Sequence, residues 1–90
     1  MCIEVITVRA ARAEQCGALL EKMTACSQFR YHPSPKWIAC YRNMEVDNEI
    51  SIHLGWGDDV CLEGKTSCGL HIARFLAQHG LIHHTLWQRK

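Results

Sequence analysis

The sequence predicts an α+β fold: a four-stranded antiparallel sheet in ferredoxin-like βαββαβ order, with two helices on one face. Three observations carry that expectation. Segments 2–10, 37–45, 49–56 and 81–87 are rich in β-branched and aromatic residues, whereas 13–29 and 67–79 repeat apolar residues at helical spacing. The second and third strands are separated only by Val46-Asp47-Asn48, a turn short enough for a hairpin. The other connections carry a helix or a proline-rich loop, as a split βαβ arrangement requires.

Each element has its own local reason. In "CIEVITVRA" (2–10), Ile3 and Val5 occupy one parity and Ile6 and Val8 the other, the pattern of a strand covered on both faces. In 13–29, Cys16, Leu19, Leu20, Met23 and Cys26 form an apolar stripe opposite Glu14, Gln15, Glu21 and Lys22. Gly17 costs that helix about 1 kcal/mol relative to alanine. Both prolines fall in 30–36, which therefore reads as a loop. In 49–56, Ile50, Ile52, Leu54 and Trp56 share one face, and Ser51 and His53 the other. The loop 57–66 leads to a second helix striped by Cys68, Ile72, Phe75, Leu76 and His79. Thr66 or Ser67 is suited to cap its start, and Gly80 to the left-handed position after its end. In the last strand, "LIHHTLW", His83 and His84 must point to opposite faces, as must Leu86 and Trp87.

At 90 residues, 48% apolar and net charge +1, residues 1–90 form a single small domain without the basic surface that nucleic acid demands. There is no apolar run of membrane-spanning length and no basic leader, so a cytoplasmic location is expected. In that setting the six cysteines stay reduced. None forms a C-x-x-C pair, and their places within apolar patterns suit small buried hydrophobes. Because two helices cover only one face of a sheet, an apolar second face marks an interaction surface, and a homodimer packed sheet to sheet is expected.

"SIHLGWGDD", a loop and helix carrying Phe75, and a closing "GLIHHTLW" resemble the antibiotic-biosynthesis-monooxygenase-like family of dimeric α/β barrels. Trp56, at the end of the third strand, is the best single match. The resemblance implies a dimeric barrel and a pocket between sheet and helices. Its members include monooxygenases acting on quinols or anthrones without a cofactor, and heme-degrading enzymes. The chain departs from the family where an asparagine often precedes the tryptophan by four residues, since Ile52 stands there. A histidine often follows it by nine or ten; here Lys65 and Thr66 do, and the nearest is His71. The first strand lacks the asparagine of heme-degrading members, and Thr7 is its nearest small polar residue.

The residues suited to chemistry follow. His53, His83 and His84 are imidazoles within apolar strands, each a candidate base toward a phenol or quinol. Arg74 or Arg42 is placed to hold an oxyanion, or else to pair with Asp58 or Asp59. Trp56 offers a rigid face to a planar aromatic ligand, with Tyr41, Phe75 and His71 as further binding candidates. No metal or cofactor is expected. A heme or metal ion is the alternative: Cys61, Cys68 and His71 have a spacing that permits three ligands, and Cys68 lies near a helix N-terminus, where thiol pKa values fall. His79 suits a helix C-terminus, and His32 falls in the proline loop. The expected function is oxidation of a quinol or related planar aromatic with O₂, or non-catalytic binding of a small ligand.

Overall fold

A computed structural model describes residues 1–25, 34–60 and 62–90. The elements run β1 (Cys2–Ala10), α1 (Glu14–Ala25), β2 (Trp37–Arg42), β3 (Glu49–Trp56), α2 (Ser67–Leu76) and β4 (Gly80–Gln88). The strands form one antiparallel sheet in the order β2-β3-β1-β4. This is the α+β class and element order read from the sequence. The expected end of α1, the loop start at 30–33, and Cys26, His32 and Cys61 lie outside the described residues.

Burial follows strand parity. Ile6, Val8 and Ala10 of β1 and Ile50, Ile52, Leu54 and Trp56 of β3 form the core with Cys16, Leu19 and Met23 of α1 and Cys68, Ile72 and Leu76 of α2. Both helices therefore lie on one face, α1 over β2 and β3, α2 over β1 and β4. Burying one such aliphatic side chain contributes about 1.5–3 kcal/mol, so this shared core is the main source of stability.

Three boundaries differ from expectation. β2 stops at Arg42 rather than running to 45. There the Asn43 side chain accepts hydrogen bonds from the backbone N–H groups of Glu45 and Val46, which turns the chain early. α2 ends at Leu76 rather than 79, capped by Ala77 in a right-handed conformation. Gly80 is accordingly no left-handed cap; it is the first residue of β4, where any Cβ would strike the backbone of Arg9 and Ala10.

Among the described residues, no helix covers the second face of the sheet. Its rows, read across the strands, are Trp37–Gly55–Ile3–Trp87, Ala39–His53–Val5–Thr85 and Tyr41–Ser51–Thr7–His83. The Trp37 indole lies over Gly55, where a methyl group would collide with it. Leu81, Trp87 and Tyr41 are 80%, 62% and 53% exposed. No helix among the described residues is long and apolar enough to cross a membrane.

Candidate functional site

Glu4 is the one buried charged or polar residue of the described core, with no exposed surface at all. Strand alternation places it on the helix-covered face with Ile6 and Val8, at the start of α2. Such a carboxylate is tolerable only if its lone pairs are filled. All four are. Oε1 accepts from the Thr66 hydroxyl at 2.6 Å and the Trp56 indole N–H at 3.2 Å. Oε2 accepts from the Thr66 backbone N–H at 3.1 Å and meets His84 Nε2 at 2.6 Å. The Thr66 hydroxyl itself accepts from Gly69 N–H at 2.9 Å, which leaves its own proton for Glu4. Trp56 and the Thr66 amide can only donate. Across their 2.6 Å contact Glu4 Oε2 and His84 Nε2 share one proton.

When that proton is on Nε2 of a neutral ring, the lone pair is on Nδ1. Its side chain is only 4% exposed. Gly69 is what permits the arrangement, because a side chain there would collide with the Glu4 carboxyl. Thr66 also fulfils the capping role read from the sequence. Cys68, one residue before Gly69, is pushed up to about 11 by burial and by the Glu4 charge. The expected lowering of this thiol at a helix N-terminus is therefore reversed: loss of hydration outweighs the helix dipole.

A cavity of about 350 Å³ opens at the same end of the sheet, lined by Cys2, Gly57, Val60, Leu62, Leu86 and Trp87 among others. Cys2 is two residues before Glu4 and Leu86 two after His84, so both share their face. Glu4 is thus level with Leu86 across the strands, and His84 stands one side-chain row, about 7 Å, behind the cavity wall.

The other expected site residues do not gather there. Trp56 is fully buried and has no face free for stacking; it uses its N–H to hold Glu4. His53 lies on the open sheet face, bonded through Nε2 to Ser51 Oγ at 3.0 Å, with the Tyr41 ring edge-on at 4.6 Å between centroids. Burial lowers its pKa. His83 is exposed on that same open face, on the opposite side of the sheet from His84. Arg74 and His71 are exposed on α2. Phe75 is half-buried against His79, their rings 5.2 Å apart. Arg42 donates to the carbonyls of Ala13 and Asp47 instead of pairing with Asp58, which takes the amino terminus. Cys68 points into the core and His71 to solvent, so they do not converge on a metal. No group of three or more metal-ligating His, Cys, Asp or Glu side chains occurs among the described residues.

Sequence reasoning missed Glu4 as the partner of His84 and Thr66 as a donor to Glu4. One signal was present: Glu4 shares parity with Ile6 and Val8, an acid on a core row. No protein-family model, curated protein or solved structure matches the chain.

Proposed function

We propose that this chain is a small monooxygenase-like protein, a homodimeric α/β barrel that oxidises a quinol or related planar aromatic with O₂ without metal or flavin. The observation that carries the reading is the His84 ring, held by a fully bonded carboxylate one row from the cavity at Leu86. A base needs a fixed orientation as much as a suitable proton affinity, and an acid behind the ring supplies it. In this reading the acidic proton of the bound aromatic passes to His84, one row behind the cavity wall, and the electron-rich anion reacts with O₂. For an anthrone-type ring the balance closes without a reductant: the CH₂ becomes C=O, and its two hydrogens leave with the second oxygen atom as water. The resemblance to the antibiotic-biosynthesis-monooxygenase-like family supports the same reading, as does the free-thiol state of Cys2, Cys16, Cys40 and Cys68, which suits the cytoplasm.

A non-catalytic, ligand-binding role is the second reading. It is favoured by the cavity lining, in which, among the described residues, aliphatic side chains and one indole predominate beside Asp58 and Gln88, with no histidine. Oxygen uptake by chelator-treated protein over a panel of quinols and anthrones separates the two. Uptake that His84→Gln abolishes while the fold persists supports oxidation. No uptake with any compound removes the catalytic reading, and an absorption spectrum with heme titration then tests binding.

A further inference from the structure

We propose that a second copy of this chain covers the open sheet face and that acid releases it, with His53 as the group that responds. The inference rests on the dimeric reading above and adds how the dimer is regulated.

The face suits a second copy for two reasons. Four strands about 4.8 Å apart, each about eight residues long at 3.3 Å per residue, offer roughly 500 Å² per protomer. Two such faces together reach the ~1,000 Å² at which specific association begins. The face is also neutral where it must meet itself. Its one charged pair among the described residues, Arg9 with Glu49 at 3.1 Å, lies at the end of the rows. Two identical faces can therefore approach without like-charge repulsion, the condition for an isologous contact.

His53 sits in the middle row. Around it on this face stand Ala39 and Tyr41 of β2, Val5 and Thr7 of β1, Thr85 and His83 of β4, and Ser51 and Gly55 of its own strand. Among these described neighbours there is no carboxylate. Glu49, four residues along β3, is engaged by Arg9 and by Asn43. A proton on His53 therefore meets no compensating charge, and a covering sheet takes away its remaining water. Burial already lowers its pKa in the single chain. His83 shares the face on the outer strand β4 and is exposed in the single chain.

The neutral ring is thus the associating form. Each dimer holds two such rings, so below their pKa the dissociation constant rises by up to about 100-fold per pH unit. The test is sedimentation velocity over a concentration series at pH 8 and pH 5.5, with near-ultraviolet circular dichroism to confirm that the fold persists. The expected result is a dimer at pH 8 whose dissociation constant rises at least tenfold at pH 5.5. His53→Gln should lose the larger part of this response, and His83→Gln, on the outer strand, the smaller part. A dimer with the same affinity at both pH values, or an unchanged response in His53→Gln, overturns the acid release alone. A monomer at pH 8 and tens of micromolar overturns it together with the dimeric reading.

Discussion

Replacing Glu4 by glutamine changes almost no volume, yet it should be among the most damaging single changes available to this fold. The carboxylate accepts four hydrogen bonds, two at each oxygen. An amide has one oxygen, and its NH₂ cannot accept. If the NH₂ takes the Oε1 position, it faces the Trp56 N–H; if it takes the Oε2 position, it faces the Thr66 backbone N–H. The Thr66 hydroxyl can reorient and His84 can change tautomer, but one buried donor is left without a partner either way. That costs about 1–3 kcal/mol, and the surviving contacts lose their charge-assisted strength. A loss of about 2–4 kcal/mol follows, against a total of roughly 5–15 kcal/mol for a domain. Urea unfolding at neutral pH, followed by far-ultraviolet circular dichroism, reads this directly. With a slope of ~1 kcal/mol/M, the midpoint should fall by about 2–4 M with the slope unchanged. A loss under about 0.5 kcal/mol would refute the four-donor account of Glu4.

Gly69→Ala should destabilise by a similar amount, since its methyl group collides with the Glu4 carboxyl, whereas Gly17→Ala, with open space at Cβ, should stabilise by about 0.5–1 kcal/mol; thermal melts of the pair check the contrast. Cys68, with its thiol pushed up to about 11 and its side chain in the core, should resist iodoacetamide at pH 8 in the native state and react once unfolded, read by peptide mass spectrometry. Glu49 is held below its ordinary pKa of 4.5, first by the Asn43 side-chain hydrogen bond and then by Arg9. Its stabilising contribution is therefore present above that value and lost as pH falls through the lowered one. The stability gap between wild type and Glu49→Gln should close with acid in the same way.

The sheet was legible because its residues obey a period of two. Ile50, Ile52, Leu54 and Trp56 lie on the buried face as their spacing requires, and the first and third strands begin and end where the sequence placed them. Boundaries set by side-chain hydrogen bonds were less visible, as Asn43 shows where it ends β2 early. The candidate site was read as separate histidines. Which of them matters depends on what faces them across strands and helices, and no spacing reveals that Thr66, Trp56 and His84 converge on Glu4. Helix-terminus chemistry misled at Cys68, because burial and an unforeseen carboxylate outweigh the dipole.

The Glu4 cluster also has a consequence for how quickly the native state is reached and left. Its bonds join residues 52, 62 and 80 positions apart, so none can form until the chain is almost wholly assembled. Side-chain bonds that need such distant segments already in place are expected to close after the transition state has been crossed. Changes at Glu4 or His84 should then act mainly by speeding unfolding, leaving the folding rate nearly unchanged. The cluster serves as a late latch: it adds little to the search for the fold and much to its lifetime.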